Sequence, residues 1–338
     1  MPIANTPAQV ICLIAAASLV IASLYAAVNK KYKLALALLT AGGGFLYAYA
    51  ALLCNFLNIW DEQYHALVAK NMMDNPFAPM LFTDQILAGH NYTLWTASNI
   101  WLHKQPFFLW EIALSFKLFG VSEFTLRLPS VINCTLMIPV CYRTAQLVTK
   151  QETTAYLTAL CAAGSFFLLK LTSGTLNTDH NDVCFVFLVT ASIWAWLEYL
   201  HADHQKLHWV IAVGLLSGAA ILTKWLTGLL VYLVWGVYLL SEYGFKMRQW
   251  KFAHLLLGVG VTILVALPWQ IYCLQRFPEV AQQELLFNAK HFTSSIEGHN
   301  EPATYFIWAL PLQYFGHGHH NGNGIRPDCT LHVRHLQL

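Results

Sequence analysis

What most limits the fold of this chain is the recurrence of apolar runs about 20 residues long. A helix needs roughly 20 such residues to cross about 30 Å of hydrocarbon, and within lipid only a helix or a closed barrel satisfies its own backbone. Runs at 8–28, 34–57, 128–149, 154–172, 182–200, 208–223, 226–240 and 253–274 approach or reach that length, and a ninth begins near Thr304. With 57% hydrophobic and 11% charged residues, the sequence specifies an all-α, polytopic integral membrane protein. A net charge of +2 carried by scattered basic residues leaves no footprint for nucleic acid. Seven of the eight cysteines lie in apolar runs without a C-x-x-C pair and read as small hydrophobes. The first run is expected to be a span rather than a cleavable signal peptide, because it lacks a basic leader and a second apolar run follows at once.

Segment 106–119, PFFLWEIALSFKLF, is different. Its length corresponds to a helix of only about 21 Å, and it carries Glu111 and Lys117, so it is expected to lie at the interface or dip part way into the bilayer. Lysine and arginine in short loops set orientation. Lys30, Lys31 and Lys33 follow the first span, Arg143 and Lys150 the third, Lys206 the fifth, and Lys246, Arg248 and Lys251 the seventh. These alternate connections share one side, the cytoplasm. The outer side then receives 58–127, 171–181, the tight link at Lys224 and the loop 275–303, with the N-terminus outside.

The outer segments gather the polar residues. LNIWDEQYHALVAKNM, residues 57–72, opens on Asp61 and Glu62 and continues as an amphipathic stretch with Tyr64, Leu67, Val68 and Met72 on one stripe, the pattern of a helix lying along a membrane surface. Asp61 could serve only to cap that helix. However, Lys104, Arg127, Lys224 and Lys290 fall on the same side as Asp61, Asp179 and Asp182. Acids and bases gathered over an apolar body suit an amphiphilic anion, most simply a lipid phosphate. A cation about 4 Å from a phosphate gains roughly 4 kcal/mol in a partly screened site, and a carboxylate beside it can accept a proton from an incoming hydroxyl.

These segments resemble a known family. DEQYHALVAKNM and HKQPFFLWEIALSFKLFGVSEFTLRLPSV are similar to the Asp-Glu-x-x-Tyr helix and the Lys-Pro segment of the membrane GT-C glycosyltransferases that use polyprenyl-phosphate sugars, among them the aminoarabinose transferases and protein O-mannosyltransferases. NTDHNDVCFVFLVTASIWAW, GLLSGAAILTKWLTGLL, LPWQIY and SIEGHNEP follow in the family's order, so the resemblance covers about 50–315. It implies a GT-C helix bundle in a bacterial cytoplasmic membrane, with its active site facing the periplasm or exterior. The reaction implied is sugar transfer from a polyprenyl-phosphate donor to lipid A, protein or another glycan. The resemblance places Asp61 as the acid facing the acceptor, with Glu62 beside it and Tyr64 among the substrate contacts. Either Asp179 or Asp182 fills the second acid position. Lys104 matches the lysine that meets the donor phosphate, Arg127 and Lys224 match basic positions near it, and His299 matches the histidine of the Glu-Gly-His element.

The chain departs from the family pattern in several places. His103-Lys104-Gln105-Pro106 stands where many relatives have Glu-Lys-Pro-Pro; His103 with Glu297 and His299 could ligate a divalent metal, zinc or magnesium, or simply be polar at a wet interface. Trp225-Leu226 stands where relatives often have Gly-Pro, which leaves Lys224 but reshapes its turn. The domain reading is 1–316 as the glycosyltransferase unit and 317–338 as an atypical tail holding five of the fifteen histidines. That tail fits a metal-binding extension or a stretch outside its natural frame, the second being the reading adopted. Two other functions follow from the same residues: a multi-span transporter, and an inactive truncated transferase lacking part of its acceptor site.

Overall fold

The computed structural model describes residues 6–59, 61–83, 98–175, 180–202, 207–244, 250–290, 304, 305 and 307. Its elements are, in order, α1 (Pro7–Val28), α2 (Tyr32–Ala51), α3 (Asp61–Met72), α4 (Phe107–Phe119), α5 (Glu123–Thr149), α6 (Glu152–Ala163), α7 (Phe166–Thr172), α8 (His180–His201), α9 (Leu207–Lys224), α10 (Leu230–Tyr243), α11 (Trp250–Arg276) and α12 (Pro278–Lys290). Among the described residues the only β feature is an isolated bridge between Met80 and Ile100. The all-α, polytopic reading holds.

Among the described residues, seven helical runs are long and apolar enough to cross a membrane, and the longest of them, Leu207–Tyr243, has 37 residues. Side-chain contacts show that this run folds back on itself. Gly214 and Gly218 of α9 face Val261 and Val265 of α11 in rising order, so those two helices are parallel. By contrast, Tyr232 bonds Thr262 at 2.7 Å while Tyr243 bonds Lys251, so α10 runs antiparallel to α11. Between α9 and α10 the chain reverses through a tight 3₁₀ turn, Trp225–Leu229, as the two separate apolar runs required.

Local chemistry accounts for the boundaries. Ser122 caps α5, its hydroxyl accepting from the Thr125 amide at 3.2 Å while Thr125 Oγ1 accepts from the Ser122 amide at 3.0 Å, a reciprocal box that satisfies two orphan donors. The apolar run expected over 34–57 ends as helix at Ala51, because the carbonyls of Ala51, Cys54 and Phe56 turn inward to a buried guanidinium described below. The run at 154–172 divides at Gly164–Ser165 into α6 and α7. α4 has 13 residues, about 20 Å of helix, and buries Phe108, Leu109, Ile112 and Phe116.

The interfacial helix α3 forms where expected but buries a different stripe. Asp61, Glu62, His65, Val68, Ala69 and Met72 face inward, at helical spacing, whereas Leu67 is exposed and Tyr64 half-buried. An apolar count puts the leucine and tyrosine inside; the bundle instead spends that face on the two acids. Helix α12, within the loop 275–303, was not foreseen. It packs Val280 and Ala281 with Leu102, Ile221 and Trp269.

Candidate active site

Two carboxylate–lysine pairs and one buried ionic brace meet at one end of the bundle. Asp61, in the first turn of α3, stands 3.7 Å from Lys104 Nζ, and the helix N-terminus adds a favourable field for its charge. Asp182, in the first turn of α8, pairs with Lys224 at the C-terminal end of α9. Lys224 also lies 6.0 Å from the Phe185 ring. The lysine side chains are reachable from outside, at 24% and 47% exposed, while Asp61 is nearly buried.

The brace is built on Arg127. Its side chain is fully buried, and all five of its donors are spent: Nε on Glu62 Oε1 at 2.7 Å, Nη1 on the Ala51 and Cys54 carbonyls at 3.0 and 2.5 Å, and Nη2 on the Phe56 carbonyl at 3.0 Å and Glu62 Oε2 at 3.1 Å. The Asn58 amide donates to the same carboxylate at 2.6 Å. His180 joins from α8, its Nε2 3.4 Å from Glu62 Oε1 and its Nδ1 2.9 Å from Ser130 Oγ. Burial pushes the Glu62 carboxyl up, but the bonds from His180 and Arg127 outweigh it and hold it at about 2. Gly174, at φ +68, completes the enclosure; a Cβ there would lie 2.6 Å from Arg127 Nη2 and 2.8 Å from each Glu62 oxygen.

The structure thus brings Asp61, Glu62, Lys104, Arg127, Asp182 and Lys224 to one end, and gives two of them a task the sequence did not suggest. Arg127 presents no donor to a phosphate, and Glu62 no lone pair to an acceptor; together they fasten the segment 51–58 to α5, and so fix where α3 starts. Tyr64 stacks on Trp101, with centroids 6.4 Å apart. Asp179, Glu297 and His299 lie outside the described residues. His103, assigned with the last two to a metal, faces Glu284 of α12, Nδ1 to Oε2 3.6 Å, and among the described residues no group of three His, Cys, Asp or Glu could hold a metal ion. Sequence reasoning missed His180 and Gly174. The signal for His180 was present, since it sits between Asp179 and Asp182 in NTDHND, but nothing local says that its imidazole turns to Glu62.

The turn at Lys224 is strained. Trp225 adopts φ +58, a region that costs a bulky residue of order 1–3 kcal/mol and that glycine enters freely. The glycine expected here from the resemblance would fit this backbone.

Residues 103–272 match the family described as dolichyl-phosphate-mannose-protein mannosyltransferase, half of the 338-residue chain. The chain belongs to this family. Among curated relatives, the undecaprenyl phosphate-alpha-4-amino-4-deoxy-L-arabinose arabinosyl transferase of Pseudomonas paraeruginosa is 32% identical over 171 residues, 48% of this chain and 29% of that protein. The fold matches ArnT from Cupriavidus metallidurans in its apo state, with a TM-score of 0.61 at 21% identity, over 82% of this chain and 47% of that one. ArnT bound to undecaprenyl phosphate matches with a TM-score of 0.58 at 22% identity. The chain therefore spans about 30% of the length of that curated relative and about half that of the solved one.

Proposed function

We propose that this family member transfers a sugar from a polyprenyl-phosphate carrier to an acceptor hydroxyl or amine at the outer face of a bacterial cytoplasmic membrane. The observation that carries the reading is the pair of acid–lysine couples, Asp61–Lys104 and Asp182–Lys224, set at one end of a bundle of membrane-length helices. A transporter would gather such groups near mid-membrane around broken helices. Similarity to relatives named for undecaprenyl-phosphate chemistry supports the donor class, while the acceptor stays at the level of lipid A, protein or glycan.

The chemistry follows from which groups remain reachable. The lipid phosphate takes Lys104 and Lys224 as counter-cations and so loosens each from its carboxylate. Asp61 is then free to accept the acceptor's proton as the acceptor's heteroatom bonds to the anomeric carbon from the face opposite the phosphate. The bond from that carbon to the phosphate oxygen breaks with its electron pair, leaving lipid phosphate and inverting the centre. Each lysine gains most as negative charge grows on the departing oxygen, the differential that lowers a barrier. If half of a roughly 4 kcal/mol attraction appears only in the transition state, one lysine contributes more than about tenfold in rate.

The test is transfer of labelled sugar from an undecaprenyl-phosphate donor to cell-envelope acceptors by purified protein. Asp61→Asn is expected to stop transfer while leaving the protein folded and donor binding intact. Full transfer by that variant would remove Asp61 from the role of base. Sugar accumulating inside sealed vesicles without covalent transfer would replace the reading with transport.

A further inference from the structure

Among the described residues, the segment that carries Lys104 has little backbone support. The bridge between Met80 and Ile100 and the bond from the Trp101 amide to the Pro79 carbonyl at 2.9 Å hold its near end, and α4 starts at Phe107. Between them, among the described residues, no backbone–backbone hydrogen bond involves 102–105. The side chains on either side of Lys104 take over. Leu102 is buried against Ile221, Trp269, Cys273 and Val280. His103 meets Glu284 at 3.6 Å, with both side chains about nine-tenths buried at 8% and 12% exposed, and its ring packs 5.6 Å from Phe287. Gln105, 3% exposed, accepts from Gln270 Nε2 at 2.7 Å. Three of these four consecutive residues are therefore docked on α9, α11 and α12. The fourth, Lys104, reaches the other way to Asp61.

We infer that Gln270 of α11 and Glu284 of α12 are positioning residues that aim Lys104 at the donor phosphate. This rests on the reading of Lys104 as a phosphate contact. Neither residue touches the phosphate; each fixes a neighbour of Lys104, so that the ammonium is presented without first ordering its loop. An unanchored loop would lose that ordering entropy on every binding event, and the loss would show as weaker binding of the anion. A residue that merely stabilised the bundle would change the melting temperature and leave the lysine's environment alone.

The experiment uses the full chain in detergent with undecaprenyl phosphate as probe. Isosteric Glu284→Gln and Gln270→Met are compared with wild type and Lys104→Ala. Removing either clamp is expected to weaken binding by about three- to tenfold, comparable to one ordinary hydrogen bond. Lys104→Ala should abolish the difference between clamped and unclamped backgrounds. In parallel, the rate of amine acetylation at Lys104, read by mass spectrometry against Lys117 in the same molecule, should rise several-fold in both clamp variants. Pairing each change with its partner, as His103→Gln with Glu284→Gln or Gln105→Met with Gln270→Met, should cost no more than either single change. If wild type binds and Lys104→Ala weakens it, yet both clamp variants bind and acetylate as wild type does, the inference is overturned. If wild type does not bind the probe, it is the phosphate-site reading that falls, and the acetylation rates still decide whether the clamps hold the loop.

Discussion

Arg127→Met should be among the most damaging single changes in the protein, although it touches no substrate. Removing one partner of a buried ion pair leaves an uncompensated charge and costs about 3–5 kcal/mol, and here the carbonyls of Ala51, Cys54 and Phe56 lose their donor as well. Glu62, bonded by both His180 and Arg127, points the same way. Its carboxyl is held at about 2 against an ordinary 4.5, and at about 1.4 kcal/mol per pH unit that gap amounts to roughly 3 kcal/mol. The sign is that of a depressed acid: this stabilisation is complete above about pH 4.5 and is lost as pH falls toward 2. The assay is loss of monodisperse protein on heating in detergent, read by size exclusion. Arg127→Met should lower the midpoint by roughly 5–15 °C at neutral pH. Glu62→Met should do similar damage, and the double variant should be less unstable than the sum, because no charge is then left alone. A midpoint for Arg127→Met within about 2 °C of wild type, or single effects that add within about 0.5 kcal/mol, would refute the brace.

Further outcomes follow from the same geometry. Gly174→Ala should destabilise by about 2 kcal/mol or more, seen in the same thermal assay, because its new methyl would sit 2.6 Å from Arg127 Nη2. Trp225→Gly should stabilise the fold by about 1 kcal/mol by relieving the positive φ; a fall in midpoint would show that packing of the indole outweighs the strain. Lys224→Met should leave the midpoint almost unchanged, since a half-exposed pair contributes little to stability, but should weaken undecaprenyl phosphate binding about tenfold, measured by titration. Gly218→Leu should disrupt the bundle, because even a Cβ at that position would come within 2.5 Å of Val265 Cβ; recovery of wild-type yield would show that α9 and α11 can separate.

Much of the architecture was legible in the residues. Apolar length is a local property, and it gave a polytopic helical bundle, a short helix at 107–119 and the chain reversal beside Lys224. The helix starting at Asp61 was legible too, but not its buried face, because burial of Glu62 depends on a guanidinium 65 residues away. The 34–57 run was read too long for the same reason: Leu52 and Leu53 are as apolar as helix residues, yet the carbonyls around them are drawn to Arg127. The order of motifs singled out acids and lysines that the structure gathers at one end of the bundle, but a motif cannot show whether an arginine faces a ligand or has spent its donors.

The sequence by itself determined that this chain lives in a membrane as a helix bundle, and that its charges concentrate in a few connecting segments, because the cost of burying polar groups in lipid is written residue by residue. Only the tertiary structure decided how those charges divide into two acid–lysine pairs with reachable lysines and one enclosed brace. That division depends on distances between segments far apart in the chain, and at the same chemistry a donor already satisfied holds the fold, while one left accessible can meet a ligand.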